Sequence, residues 1–378
     1  MRIIKKNEIL KIINNYLYDS NLPININYLY NTGSMLGLMM IVQILSGVFL
    51  AMFYIANINL AFYSIDNIMR EIEYGWLIRY IHLNGASIIF GLLYLHIIRG
   101  LLYGSYIKNN TWMIGIIIFF LMIITAFLGY SLPYGQMSYW AVTVITNLVT
   151  SIPLIGNEIL KLIWGDYNVG NSTINRFYSL HYIMPIVIIG LIVLHLIELH
   201  SKGGTNPLGI SNNTTINFNS YYTYKDILGF LIIGLIIITI IGQIPEELAH
   251  TDNNIEANSL ETPTHIVPEW YFLSFYAILR SIENKRGGII AMILSIIILL
   301  IIKKINNHII KSTYFRPIKY NLTIIFIINF IILTYLGQAL VEEPYITLSK
   351  ITLIIYFGYY IMVYITSYIE YLLYKLYN

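Results

Sequence analysis

Two stretches of the sequence decide the fold: RYIHLNGASIIFGLLYLHIIRG, residues 79–100, and RFYSLHYIMPIVIIGLIVLHLIELH, residues 176–200. Each stretch is strongly apolar and holds two histidines at the same spacing. These histidines are His82 and His96 in the first stretch and His181 and His195 in the second. The shared interval of fourteen positions makes nearly four turns of α-helix, so the two histidines of a stretch project from one helix face, roughly 21 Å apart.

The repeated spacing favours metal binding. A single buried histidine is usually just hydrogen-bonded to a neighbour, but four histidines in two equally spaced pairs suggest two helices that face each other. An unpartnered imidazole is costly in hydrocarbon, and neutral imidazole is a common axial ligand of haem iron. We therefore expect two haems stacked across a bilayer, with one imidazole from each helix on each iron.

The composition is that of a membrane protein. Hydrophobic residues make up 57% of the 378 residues and charged residues only 11%, and the mean hydropathy is +0.68. A soluble domain carries about 25% charged residues. The chain has no cysteine, which excludes disulfides, thiolate ligation of haem, c-type haem attachment and iron–sulfur clusters held by cysteine.

Eight apolar stretches are candidates for helices that cross a bilayer, which takes about 20 residues. They lie near residues 31–55, 76–102, 111–132, 178–200, 226–244, 288–305, 321–337 and 349–370. We therefore predict an all-α membrane protein with eight transmembrane helices, of which the first four form a haem-binding four-helix bundle. Charges and asparagines interrupt residues 1–20, so we expect an amphipathic N-terminal surface helix there rather than a cleaved signal.

Charge orients the predicted bundle. An even number of spans puts both termini on one face, and that face receives most of the 22 Lys and Arg residues. The opposite face receives most of the acidic residues, so the positive-inside rule places the termini on the electrically negative side. Residues 303–320, KKINNHIIKSTYFRPIKY, are basic, but between two spans such a stretch is typical of a topogenic loop. We expect no nucleic-acid binding.

Four glycines repeat the register of the histidines. Gly33 and Gly47 lie in the first predicted span and Gly115 and Gly129 in the third, and the interval within each pair equals that of the histidines. Glycine inside a helix costs about 1 kcal/mol relative to alanine, so this register needs a packing reason. Helix packing through small residues is one. Because the register matches the histidines, clearance for the edge of a haem macrocycle explains it better.

The chain resembles the cytochrome b family of the mitochondrial ubiquinol–cytochrome c reductase complex from about Asn25 to Tyr364. Besides the two histidine stretches, the resemblance rests on GYSLPYGQMSYWAVTVITNL and TPTHIVPEWYFLSFYAILRSIENKRGG, which begin at Gly129 and Thr262. We expect two domains. Residues 1–210 would form the di-haem bundle, and residues 211–378 would carry helices five to eight with the PEWY loop.

The resemblance implies two non-covalent b haems, a low-potential one near the positive side and a high-potential one near the negative side. Their ligands would be His82 with His181 and His96 with His195, respectively. Arg79 and Arg99 match positions that pair with haem propionates, to which a guanidinium gives charge-assisted hydrogen bonds.

Two quinone pockets are also implied. In the quinol-oxidation pocket, the carboxylate of Glu269 in the PEWY motif could accept a quinol proton. The same pocket would include Pro268, Trp270, Tyr271, Tyr276 and Ala141, the last at a position where the family commonly has glycine. In the quinone-reduction pocket, His200 and Asp226 could hold the quinone carbonyls and supply protons, with Asn31 beside them.

The implied activity is that of a quinol–cytochrome c oxidoreductase. One electron of ubiquinol would pass to a Rieske iron–sulfur protein, and the other would cross the two b haems and reduce ubiquinone on the negative side, with proton translocation. Further implied partners are a membrane-anchored c-type cytochrome subunit, other complex III subunits, lipids and a second copy of the complex in a homodimer. The implied location is the mitochondrial inner membrane, with both termini on the matrix side.

Two other classes of protein share part of this pattern. A bis-histidine transmembrane reductase of ascorbate or ferric iron would have the paired histidines, but neither the PEWY motif nor a second quinone site. A transporter could use intramembrane histidines as proton relays. An optical spectrum separates the transporter, which lacks b-type haem bands, and a quinone titration separates the reductase.

Overall fold

The computed structural model describes residues 18–306 and 310–377, together with residues 7, 10, 11, 14 and 15. The predicted surface helix of residues 1–20 lies largely outside the described residues. Within the described part of the chain, eight helices are long and apolar enough to cross a membrane. This confirms the predicted all-α fold with eight transmembrane helices.

Shorter helices connect the spanning ones. In chain order the helices are α1 Thr32–Ala51, α2 Ala61–Arg70, α3 Gly75–Tyr103, α4 Asn109–Ser131, α5 Gln136–Asn147, α6 Gly156–Trp164, α7 Asn171–Lys202, α8 Tyr221–Gln243, α9 Leu273–Arg280, α10 Lys285–Ile305, α11 Pro317–Gln338 and α12 Tyr345–Tyr377. Among the eight spanning helices, counted along the chain, the first is followed by the short helix α2, the third by α5 and α6, and the fifth by α9. These short helices therefore lie on one face, opposite to the end of α12.

Some spans are longer than their apolar runs predicted. The clearest case is α7, which begins at Asn171 rather than near residue 178. Its added turns are polar, and residues that precede the helix stabilise them through hydrogen bonds. The amide of Gly170 donates to Thr173 Oγ1 at 3.1 Å, and Thr173 Oγ1 donates to the carbonyl of Trp164 at 2.8 Å. The apolar run measures only the hydrocarbon crossing, and a helix can continue into the headgroup region.

A small two-stranded ribbon departs from the purely helical prediction. Strand β1, Asn21–Pro23, pairs antiparallel with β2, Thr215–Asn217, with Leu22 opposite Ile216. Since β1 precedes α1 and β2 lies between α7 and α8, the ribbon ties the two ends of the N-terminal bundle together. The hydroxyl of Tyr222, at the start of α8, also donates to the carbonyl of Pro23.

The helices pack in two groups that share a core. Helix α1 packs against α3 and α4 against α7, while α11 packs against α9 and α12. Between the groups, Phe90 and Phe119 of the bundle contact Tyr271 and Phe275, and all four side chains are buried. The outer faces of α7 and α8 are apolar and exposed, as expected of surfaces that face lipid.

Candidate functional site

The structure brings the four histidines together in two pairs between α3 and α7. The ring centres of His82 and His181 lie 6.2 Å apart, and those of His96 and His195 lie 6.4 Å apart. Two imidazoles on opposite sides of one metal, each bound through nitrogen at about 2 Å, have ring centres roughly 6 Å apart. Two imidazoles do not complete a metal site by themselves, and they suit an iron whose other ligands come from a macrocycle.

Hydrogen bonds at Nδ1 orient three of the rings. Helix α1 orients both histidines of α3, because Ser46 Oγ lies 3.0 Å from Nδ1 of His82 and Thr32 Oγ1 lies 3.0 Å from Nδ1 of His96. Helix α4 orients His181, whose Nδ1 lies 2.8 Å from the carbonyl oxygen of Thr125. Such contacts fix the ring and leave Nε2 as the atom that can bind a metal. At His96, Nε2 also lies 3.4 Å from Nη2 of Arg99.

The four glycines give the imidazoles room. A Cβ added at Gly129 would lie 2.4 Å from Cε1 of His181, and one added at Gly47 would lie 3.0 Å from Cε1 of His82. The other distances are 3.4 Å from Gly33 to His96 and 3.2 Å from Gly115 to His195. The glycine register is therefore explained by the approach of the histidine rings themselves, in addition to any clearance for a macrocycle.

Each histidine pair borders a cavity that is also lined by an arginine. His82, His181 and Arg79 line a cavity of about 160 Å³. The second cavity, of about 880 Å³, is lined by His96, His195 and Arg99. The guanidinium of Arg99 lies 4.9 Å from the ring centre of Tyr30, and its buried Nε has no hydrogen-bond partner among the described residues. A buried guanidinium with an unused donor fits an anionic group such as a haem propionate.

The smaller cavity also contains a carboxyl group. Glu269 and Tyr271 line it together with Arg79. Burial raises the pKa of Glu269 to about 7, an effect that the neighbouring Tyr130 hydroxyl and the charge of Arg79 partly oppose. A carboxyl group with this pKa can take up and release a proton near neutral pH.

Four other residues predicted for this pocket do not line the cavity: Pro268, Trp270, Tyr276 and Ala141. Ala141 lies in α5, and its side chain is buried, with 4% of its surface exposed. The hydroxyl of Tyr276 lies 3.5 Å from the carbonyl of Ile266, and its ring centre lies 5.2 Å from the guanidinium of Arg280. Of the residues predicted for this pocket, Glu269 and Tyr271 thus share the cavity with His82 and His181, and the other four lie outside it.

The larger cavity holds the residues predicted for the second quinone pocket. Asn31, His200 and Asp226 all line it. The amide of Asn31 donates to Asp226 Oδ1 at 2.5 Å, and the hydroxyl of Ser34 donates to the same oxygen at 2.7 Å. This cavity therefore combines a carboxyl group, an imidazole and a histidine pair.

Sequence reasoning missed the hydroxyl residues that orient the histidines. Thr32 and Ser46 each directly precede a glycine of the register and so repeat its interval, while Thr125 lies one helical turn before Gly129. The shared interval was therefore a usable signal for Thr32 and Ser46 too. Ser34 and Tyr130 carry no comparable signal, because they reach the site only through the packing of helices.

Fold and site together define a transmembrane helical bundle with two pairs of facing histidines suited to haem. The family model described as cytochrome b/b6/petB matches residues 17–203, and the model described as cytochrome b (C-terminal)/b6/petD matches residues 256–357. The chain belongs to the cytochrome b family, and membership of this family implies that it binds haem.

Individual relatives match along almost the whole chain. A cytochrome b of Phytophthora megasperma is 51% identical over 352 residues, 92% of this chain and 92% of that protein. A cytochrome b of Schizosaccharomyces japonicus is 48% identical over 364 residues, 96% of this chain and 94% of that protein. Among solved structures, a chain of a hyperthermophilic respiratory complex III superposes with a TM-score of 0.92 at 29% identity, covering 97% of this chain and 98% of that one.

Proposed function

We propose that this chain is the redox core subunit of a respiratory ubiquinol–cytochrome c reductase, complex III. It would oxidise ubiquinol on the positive side of the membrane and reduce quinone on the negative side. The observation that carries the proposal is the pair of cross-helix histidine contacts, at 6.2 and 6.4 Å between ring centres. Each pair borders a cavity that contains a carboxyl group.

For the cofactors we propose two non-covalent b haems. The ligands would be His82 and His181 for the low-potential haem and His96 and His195 for the high-potential haem. Bound there, the haems would supply one-electron carriers across the membrane. Arg79 and Arg99 would hold the propionates through charge-assisted hydrogen bonds, and the glycines at 33, 47, 115 and 129 would let the ligand rings approach.

In the oxidation pocket, Glu269 would accept a proton from a quinol hydroxyl. Its pKa of about 7 makes it an effective base near neutral pH, because a useful fraction is ionised and the proton is then readily passed on. Tyr271 would form the wall beside it, and Pro268 and Trp270 would hold the loop. Tyr276 and Ala141 would form an outer wall of the pocket, and a bound quinol that reaches them would extend beyond the cavity.

In the reduction pocket, Asp226 and His200 would hold the two quinone carbonyls and deliver protons to them. Asn31 donates to Asp226 Oδ1 and would orient this carboxyl group toward the quinone. Quinol oxidation would then release protons on one side of the membrane, and quinone reduction would take up protons on the other side. The reaction would therefore generate a membrane potential.

The setting of the chain follows from the same proposal. The superposition on a complex III chain and the eight spans support a multi-pass subunit of a multi-subunit assembly in an inner membrane. We propose the mitochondrial inner membrane, with both termini in the matrix, a Rieske iron–sulfur protein and a c-type cytochrome as partners, and a homodimeric complex with bound lipid. Residues 1–210 would form the haem domain and residues 211–378 the second domain.

A redox titration of the purified complex tests the proposal. We expect two b-type haem signals that titrate separately, and reduction of both by quinol. Absence of b-type bands would indicate a transporter. Haem reduced by ascorbate but insensitive to quinone at two separate sites would indicate a transmembrane reductase. Either result would overturn the proposed function.

A further inference from the structure

Helix α3 has a second face besides the one that carries histidines. Ser87, Phe90 and Tyr94 are spaced by three and four residues, so they lie along one side of the helix. At roughly 100° per residue, this side is turned by about 80° or more from His82 and His96. Helix α3 can therefore contact a second element without disturbing the histidines.

This second face holds the end of the PEWY segment. Nε1 of Trp270 donates to Ser87 Oγ at 3.1 Å. The rings of Phe90 and Tyr271 stack with their centres 4.3 Å apart and their planes 3° from parallel, and both residues are buried. The hydroxyl of Tyr94 donates to the backbone carbonyl of Tyr271. Three contacts of different kinds thus fix two consecutive residues.

The segment depends on such contacts because it has little structure of its own. Trp270–Phe272 is one turn of 3₁₀ helix, with Glu269 in extended conformation immediately before it. A single 3₁₀ turn makes few and poorly aligned hydrogen bonds. Whatever fixes Trp270 and Tyr271 therefore also fixes the backbone from which the Glu269 carboxyl group projects into the cavity.

We propose that Tyr94 and Ser87 are positioning residues for quinol oxidation. They would set the place of Glu269, and of the quinol beside it, relative to the helix that carries His82. Tyr94 does not line the cavity, so it acts through the PEWY backbone, while Ser87 lies at the cavity wall and acts through the Trp270 ring. The inference rests on the proposed function and adds a role that the shape of the cavity does not reveal.

The substitution Tyr94→Phe tests the role, because it removes the hydroxyl and keeps the aromatic ring. Tyr356→Phe is the matched control: Tyr356 is also a buried tyrosine whose hydroxyl donates to a backbone carbonyl, that of Ser295 at 2.8 Å. It lines neither cavity, and its ring contacts are with Phe326, Phe357 and Tyr360 rather than with the PEWY segment. In the purified complex, reduction of the b haems by quinol is followed by rapid mixing. In the first route, quinol reduces the haems through the oxidation pocket while an inhibitor blocks the reduction pocket. In the second route, quinol reduces the haems through the reduction pocket while an inhibitor blocks the oxidation pocket.

We expect Tyr94→Phe to slow the first route about 10-fold, since small misplacements of reacting groups have large effects on rate. The loss should lie in the rate constant rather than in the quinol concentration for half-maximal rate. The second route should stay unchanged, and Tyr356→Phe should affect neither. Ser87→Ala should slow the first route less than Tyr94→Phe does. If the Tyr94 variant does not assemble, the Ser87 variant tests the positioning role by the same comparison of the two routes.

Equal slowing of both routes would overturn the positioning role, because a general loss of stability affects both pockets. So would a Tyr94→Phe complex that behaves like Tyr356→Phe. Failure of the unmodified complex to reduce haem from quinol is a different result, since it would overturn the proposed function itself.

Discussion

The two cavities stand on the same repeated scaffold but hold their carboxyl groups differently. The smaller one takes Glu269 from a loop segment, and burial raises the pKa of this residue to about 7. The larger one takes Asp226 from the spanning helix α8, where Asn31 and Ser34 both donate to one of its oxygens. The shared register of histidines and glycines thus builds two similar histidine pairs, while residues outside the register determine how the carboxyl group of each cavity is held.

Glycine substitutions should have the largest effect and should distinguish the two ends of the bundle. Gly129→Ala places a Cβ 2.4 Å from Cε1 of His181, so the ring must move and we expect loss of one haem. Gly33→Ala places its Cβ 3.4 Å from Cε1 of His96, so we expect only a shift in the midpoint potential. Haem content and redox titration of the purified complexes measure both. Equal effects of the two substitutions would contradict the close packing found at Gly129.

Glu269→Gln should slow quinol oxidation by about 100-fold or more while leaving both haem spectra intact, because it removes a proton acceptor and no ligand. Single-turnover reduction of haem through the oxidation pocket is the measurement. Reduction through the opposite pocket serves as the internal control. If single-turnover rates stay normal in the variant, Glu269 has only a structural role.

The pKa of Glu269 also predicts a pH profile. A base must be ionised to act, so the rate should rise with pH, by up to about 10-fold per pH unit, until the pH passes about 7, and then level off. In Glu269→Gln this rise should disappear. A profile that keeps the same inflection in the variant would assign the titration to another group.

Asp226 should give a smaller effect, on the opposite pocket. Asp226→Asn removes the ionisable carboxyl group, and we expect reoxidation of the haem at His96 and His195 by quinone to slow by about 10-fold or more. Ser34→Ala removes only one donor to Asp226 Oδ1 and should slow the same step by roughly 5-fold, as expected for the loss of one ordinary hydrogen bond. Slower quinol oxidation in either variant, with normal reoxidation, would count against this assignment of the pockets.

Local patterns made much of this architecture predictable. The spans follow from apolar length, and the histidine pairs follow from a spacing that repeats in both stretches. The short helices α5 and α6, of 12 and 9 residues, have no such signature, and neither has the ribbon of β1 and β2. Whether a side chain such as Ala141 reaches the cavity depends on how α5 packs, which neighbours in sequence do not reveal.

The central claim is that each haem is held across α3 and α7, and pairwise removal of histidines tests it most directly. His82→Ala with His181→Ala removes both ligands of one proposed site, so the double variant should lose one haem, like each single variant. His82→Ala with His96→Ala removes one ligand from each site and should lose both haems. The measurement is the haem-to-protein ratio of the purified complex, checked by redox titration. Loss of both haems in the first double variant and of only one in the second would show pairing along a helix and would contradict the account.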